Sequence, residues 1–218
     1  MDTWGQTLEH AKPYLIKENV QPQITIEANP ERFKSKETEV SDDLCEYMAT
    51  GADFYMKLLK YNGLMIHSSA IVMEGKAYLF SAPSGTGKST HTELWRKTFG
   101  EDKVYYLNDD KPALRLENNT WYAYGTPWSG KYNLSRNEKV PLGGIAILER
   151  SENNEIVPLS GADAVFSILD QTYRPKGAMY SSLLLERVDQ LVSLVPIWKL
   201  RCNMDPQAAI VAYEGMKG

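Results

Sequence analysis

Ser81 to Trp95 read "SAPSGTGKSTHTELW", a glycine-rich turn with a lysine and hydroxyls, placed between an apolar strand and an amphipathic run. The P-loop pattern is G-x-x-x-x-G-K-[ST] between a strand and a helix. Gly87, Lys88 and Ser89 match its end, whereas Ala82 stands where the first glycine belongs. Gly85 and Gly87 allow left-handed backbone, so that successive N–H groups converge on phosphate oxygens. The start of the following helix adds a partial positive charge. Residues Ser84, Gly85, Thr86, Gly87, Lys88, Ser89 and Thr90 therefore form the expected nucleotide-binding loop. Lys88 is expected on the β- and γ-phosphates of ATP and Ser89 on Mg²⁺. The competing reading is a strand-to-helix turn without a ligand, which a full S-G-x-G-K-S-T run makes the weaker one.

Transfer chemistry also needs an acid to hold metal and a base. Asp109 and Asp110 end the apolar strand "VYYL", a helix and a strand beyond Lys88. They return beside the loop if the two strands are neighbours. One carboxylate then holds Mg²⁺ and the other accepts the proton of an attacking hydroxyl. Asp109 is assigned as base and Asp110, with Ser89, as metal ligand; the opposite division satisfies the same chemistry. An Asn-Asp-Asp turn that only ends a strand is the competing reading.

Outward from the loop, "LMIHSSAIVM" and "KAYLFSAP" predict a strand pair joined at Glu74-Gly75. Ser89 to Phe99 predicts a helix, with Leu94, Trp95 and Phe99 on one face and Gly100 as its stop. "QPQITIEA" predicts a short strand, and "ANPERFKSKETEV" (Ala28 to Val40) an exposed connection. Ser41 caps an expected helix with apolar positions Leu44, Tyr47, Met48, Tyr55, Leu58 and Leu59, ending at Gly63. "KVYYL", "ALRLE", "WYAYG", "GGIAILER" and "NEIVPL" read as strands, the second and third joined by a turn at "NNT". Helices are expected near 162–169 and 181–191 and after Asp205-Pro206. A β-rich centre flanked by helices makes the class α/β or α+β. Residues 1–62 form an N-terminal strand-and-helix segment packed on a core of residues 63–218.

Composition fits a globular chain of one domain: 218 residues, 43% hydrophobic and 24% charged. The net charge of −4 gives no electrostatic footprint for nucleic acid. No apolar run reaches membrane-spanning length, and the amino terminus lacks the pattern of an export signal. Cys45 and Cys202 stand far apart without C-x-x-C spacing, which points to free thiols in a cytoplasmic protein. His91 and His10 are expected to be solvated.

"IHSSAIVMEGKAYLFSAPSGTGKST…YLNDD" resembles the kinase core of HPr kinase/phosphorylase, a relative of the phosphoenolpyruvate carboxykinases. "YGTPWSGK…VPLGGIAILER" is similar to the small HPr-kinase-like proteins associated with modified-peptide operons. The resemblance covers Gly63 to Arg150, with a weaker continuation. It implies a carboxykinase-like P-loop fold with a mixed β-sheet, and phosphoryl transfer from ATP to a serine or other hydroxyl. It also implies a site role for His67 near the transferring phosphate. By composition alone, His67 reads as a core histidine on an apolar strand. Two departures stand out. Tyr122 and Tyr124 occupy the stretch where HPr kinase carries a metal-related glutamate, and only residues 1–62 precede the core where HPr kinase has a long domain.

"GTPWSGK" is the candidate acceptor-recognition segment, through Trp128, Ser129 and Lys131; a packed Trp128 anchor is the competing reading. Arg174, in "QTYRPKG", is the candidate for stabilising charge on the phosphoryl group. The leading function is an ATP- and Mg²⁺-dependent kinase acting on a peptide or small-molecule hydroxyl. The alternatives are a nucleotide-dependent binding module without catalysis and a carboxykinase- or phosphatase-like enzyme. No nucleic acid or membrane partner is expected, and a homo-oligomer is compatible with the sequence.

Overall fold

The computed structural model describes residues 3–16, 20–34 and 40–217. Among them, nine strands make one sheet: β1 (Gly63–Met65), β2 (Ser68–Met73), β3 (Lys76–Ser81), β4 (Val104–Asn108), β5 (Ala113–Glu117), β6 (Thr120–Tyr124), β7 (Lys139–Arg150), β8 (Glu155–Leu159) and β9 (Ile197–Cys202). The main path runs β1-β5-β6-β7-β3-β2-β4, and β9 joins β7 and carries β8. Pairs β3–β7 and β7–β9 are parallel and the rest antiparallel, so the sheet is mixed. The twelve-residue β7 is long enough to pair with β6 near its start and with β9 over its second half.

Among the described residues six α-helices accompany the sheet: α1 (Gly5–Ala11), α2 (Asp42–Leu58), α3 (Lys88–Phe99), α4 (Gly161–Asp170), α5 (Ala178–Leu194) and α6 (Gln207–Met216). Alternation along the central strands divides the core between two faces. Ile71, Tyr78, Phe80 and Leu148 pack with Trp95 of α3 and Ala209 and Ala212 of α6. Val72, Leu79 and Ile145 pack with Ile168 of α4 and Val188 and Leu191 of α5. The α/β class with a mixed sheet flanked by helices is thus as the sequence implied. No helix among the described residues is long and apolar enough to cross a membrane.

Local chemistry accounts for the elements. Ser41 caps α2, its hydroxyl accepting from the Leu44 amide at 3.3 Å. Glu74 and Gly75 both have positive φ, as a two-residue turn between twisted strands requires. Asn118 and Asn119 do the same between β5 and β6.

The structure changes several expectations. After α2 the chain makes a short 3₁₀ turn and reverses at Asn62, with φ of 57°, so Asn62 and not Gly63 is the stop. Residues 21–28 are not a strand, because side chains satisfy their backbone. Lys57 Nζ donates to Thr25 O at 2.8 Å, Tyr61 Oη to Gln23 O at 2.5 Å, and Asp53 accepts from the Glu27 amide. Residues 35–39 of the expected exposed connection lie outside the described residues. The N-terminal segment instead contributes α1, fixed by Thr3 and Thr7, which both donate to the buried Glu46 carboxylate of α2. Strand β9 had no expectation. "LMIHSSAIVM" is two strands, with β1 paired to β5 and β2 to β3 and β4; the break falls at Ile66-His67.

Candidate active site

The glycine-rich loop leaves β3 at Ser81 and enters α3 at Lys88. Gly85 and Gly87 have φ of +78° and +122°, and a Cβ at either would meet open space. Backbone conformation, not crowding, therefore calls for glycine there. Lys88 Nζ donates to Ala82 O at 2.9 Å, which holds the amine against the loop. Burial lowers the Lys88 pKa, opposed by the charges of Asp110 and Asp109. Arg150, at the end of β7, donates to the carbonyls of Gly85 and Thr86. In a trans peptide the N–H points opposite to the C=O. Gripping the Thr86 carbonyl therefore turns the Gly87 N–H away from Arg150.

The acids reach the loop by a longer route than direct strand neighbourhood. Strand β2 lies between β3 and β4, so the loop strand and the acidic strand are not adjacent. Ser69 of β2 provides the link: its hydroxyl donates to Asp109 Oδ1 at 2.5 Å and lies 2.9 Å from Thr92 Oγ1 of α3. A register shift between β2 and β4 falls just before the acids, a place where bulges commonly re-aim side chains. Asn108, wholly buried, then shapes the turn. Its Oδ1 accepts from the amides of Asp110 (3.0 Å) and Lys111 (2.7 Å), and its Nδ2 donates to Thr126 O at 3.0 Å.

The two carboxylates have different surroundings. Burial pushes the Asp109 carboxyl above its ordinary value, against hydrogen bonds from Ser69 and Ser89 that favour the ionised form. Burial acts on Asp110 in the same sense, but the His67 hydrogen bond and the Lys111 ammonium outweigh it and hold that carboxyl below the usual range. His67 Nε2 lies 3.3 Å from Asp110 Oδ1. The strand break fixes this histidine: its amide donates to Gln171 O at 2.7 Å and its carbonyl accepts from Ser81 Oγ at 2.7 Å.

His67, Ser84, Lys88, Ser89, Asp109 and Asp110 line one cleft of about 410 Å³, as do Gly85, Gly87 and Thr90. Lys131 lines it too, beside Gly130 and Tyr132. Thr86 lies in the same loop and lines the cavity on its other side. The hard oxygen donors Ser89 and Asp109 fit Mg²⁺. No group of three or more His, Cys, Asp or Glu among the described residues could hold a metal by itself, so such an ion would need phosphate oxygens to complete its shell.

Three candidates for acceptor or phosphoryl recognition are placed elsewhere. Trp128 is a core anchor: its ring stacks on Phe54 at 4.9 Å and its Nε1 donates to Tyr47 O at 3.1 Å. Ser129 is buried, with its hydroxyl donating to Asn133 Oδ1 at 3.0 Å. Arg174 is exposed and 3.9 Å from Asp170, one helical turn away and outside the cleft. The expected solvation of two histidines also fails. His10 is buried and bonds Pro127 O at 3.1 Å. His91 is buried beneath the loop helix, and its Nε2 accepts from Trp95 Nε1 at 3.1 Å. Both cysteines are free thiols.

Sequence reading missed Ser69, Asn108, Lys111 and Arg150. Asn108 had a visible signal, a turn-forming residue directly before the acids. Lys111 directly follows Asp110 and pairs with it, whereas Ser69 and Arg150 depend on strand order.

No curated protein matches the chain. Among solved structures, it is similar to the Hpr(Ser) kinase/phosphatase from Coxiella burnetii, at 12% identity and a TM-score of 0.39, over 71% of this chain and 99% of that one. At those values the likeness assigns the chain no activity. The family model of the SynChlorMet cassette protein ScmC matches residues 36–207, well over half of the chain. The chain belongs to the SynChlorMet cassette protein ScmC family.

Proposed function

We propose that the protein is an ATP-dependent phosphotransferase acting on a hydroxyl. The observation that carries this is the convergence of Lys88, Ser89, Asp109, Asp110 and His67 on one cleft above a glycine-rich loop. A loop that only bound nucleotide would have no need of a second acid paired with a histidine.

The geometry favours the opposite division of the two acids from the one assigned by sequence. Asp109 lines the cleft with Ser89, the hydroxyl of the loop pattern that serves the metal, and that hydroxyl favours its ionised form. Asp109 and Ser89 would hold Mg²⁺, which when bound neutralises charge on the phosphate oxygens. The raised Asp109 pKa does not oppose this, because a cation beside a carboxylate favours the ionised form. Lys88 binds the β- and γ-oxygens. Asp110, ionised at neutral pH and oriented by His67, accepts the proton of the acceptor hydroxyl.

The acceptor has its own approach. A groove of about 690 Å³ shares Asp110, Gly130 and Lys131 with the cleft and runs between Tyr47 and Met48 of α2 and Gln6 of α1. A hydroxyl entering along it meets Asp110 from the side away from the loop. The mixed lining of Leu44, Met48, Glu9 and Lys131 suits a peptide side chain or a small polar molecule. ADP release tests the reading. A kinase consumes Mg·ATP in proportion to added hydroxyl acceptor, whereas a binding module saturates with ATP and releases no ADP above background.

A further inference from the structure

A second cavity of about 450 Å³ opens on the other side of the glycine-rich loop. It meets the acidic cleft at Gly85, Gly87 and Thr90, which line both. Neither Asp109 nor Asp110 lines it. Its walls come from α3, the end of β7 and the segment after β9. The apolar part is Leu94, Leu148 and Met204.

Its polar groups are neutral or hydrogen-bonded within the protein, and its two charged residues, Glu149 and Arg150, are exposed. Trp95 donates to His91 Nε2, which leaves the ring proton on Nδ1, facing Cys202 Sγ at 3.9 Å. Burial keeps this imidazole uncharged at neutral pH, with a pKa lowered to about 4. Glu149, at the rim, lies 3.6 Å from Lys199 and 3.7 Å from Arg201. Arg150 is spent on the loop carbonyls. The Asn203 amide is committed as well: Oδ1 accepts from the Asp205 amide and Nδ2 donates to Glu152 O.

One side of the loop thus offers a lysine, hydroxyls and acids, and the other a hollow that is apolar apart from the exposed Glu149 and Arg150, of a size that ligand pockets commonly have. A nucleoside triphosphate has the same division, with an anionic chain at one end and a flat, weakly polar ring system at the other. We infer that this cavity, walled by Leu94, Leu148, His91, Cys202 and Met204, takes the nucleoside end of the nucleotide, whose phosphate chain crosses the loop at Gly85 and Gly87. The ring is held by apolar contact and shape, since the Asn203 amide is not available to read a base edge. The inference rests on the nucleotide reading above and adds where the base and ribose lie.

Cys202 makes this measurable without turnover. It is partly exposed in the cavity wall, whereas Cys45 has no exposed surface, so thiol labelling of the native protein reports Cys202. The experiment follows N-ethylmaleimide labelling of Cys202 by peptide mass spectrometry with no ligand, with Mg·ATP and with Mg·tripolyphosphate. Calorimetry on the same samples records binding. The expected result is labelling slowed about ten-fold at ATP near ten times its Kd, with no slowing by bound tripolyphosphate. Conversely, protein fully labelled at Cys202 keeps tripolyphosphate binding and loses ATP binding. ATP that binds without slowing the label overturns the inference and leaves the nucleotide reading standing. Equal protection by tripolyphosphate also overturns it, since loop ordering would then account for the effect. Failure of both ligands to bind overturns the nucleotide reading, and the inference falls with it.

Discussion

His67 Nε2 and Asp110 Oδ1 lie 3.3 Å apart at the point where the chain leaves β1 and enters β2. The pairing depends on the strand break. Had residues 64–73 run as one strand, the His67 amide and carbonyl would enter a continuous ladder. As it is, they bond Gln171 and Ser81, which fixes the ring beside Asp110. His67 thus adjoins Asp110 and Ser89 adjoins Asp109, which is the ground for the proposed division of work between the two acids.

Asp109→Asn and Asp110→Asn are expected to fail differently. Asp109→Asn weakens the Mg²⁺ dependence of nucleotide binding, because it removes a charged donor beside Ser89. Asp110→Asn keeps Mg·ATP affinity and loses about 100-fold or more in turnover, the usual scale for a missing base. Calorimetry with and without Mg²⁺, together with single-turnover rates, separates the two. Equal loss of metal dependence in both variants would contradict the division.

Gly87→Ala tests the loop backbone. The added methyl meets nothing, but φ of +122° is a conformation that alanine rarely holds. Strain of about 1–3 kcal/mol relaxes by turning the peptide, and the Gly87 N–H leaves its direction. ATP affinity is expected to drop about ten-fold or more while the melting temperature changes little. Unchanged affinity would mean that this amide does not serve the phosphate.

His91 gives the fold an acid limit. Its pKa is lowered to about 4 by burial, from an ordinary 6.5. The unfolded chain therefore binds the extra proton first as pH falls. Stability from this group is complete above about pH 6.5 and is lost between there and about pH 4, by about 3 kcal/mol in total. Urea unfolding from pH 7 to 4.5 is expected to show this loss, and His91→Gln to flatten it. A wild-type profile that is already flat would contradict the buried neutral ring.

Trp128 is expected to matter for folding and not for recognition. Trp128→Ala removes a ring packed against Phe54 and Tyr55 and costs about 3–5 kcal/mol. Trp128→Phe retains most of the packing, loses the bond to Tyr47 O, and costs about 1 kcal/mol. Chemical denaturation measures both. Mg·ATP affinity and acceptor KM are expected to stay at wild-type values in Trp128→Phe.

Much of this was legible in the chain. The loop, its helix, the Asp109-Asp110 step and the Ser41 cap are local features, set by residues within a turn or two of one another. What the sequence could not convey is pairing. "LMIHSSAIVM" has β character throughout, so a change of partner strand at His67 leaves no mark in it. "QPQITIEA" has strand character but meets side chains of α2 where a partner strand would be needed. Arg150 reads as the last residue of a strand, and only the parallel β3–β7 pairing brings it to the loop. Trp128 needed the position of α2 to be known before its ring could be given to the core.

The most direct test of phosphoryl transfer is ³¹P NMR of the protein with Mg·ATP and hydroxyl acceptors: free serine, free threonine and short Ser/Thr peptides, with Lys88→Ala as the blank. The account predicts a phosphomonoester resonance that grows in step with ADP and is absent from the blank. ATP that saturates the site and stays intact with every acceptor would contradict it.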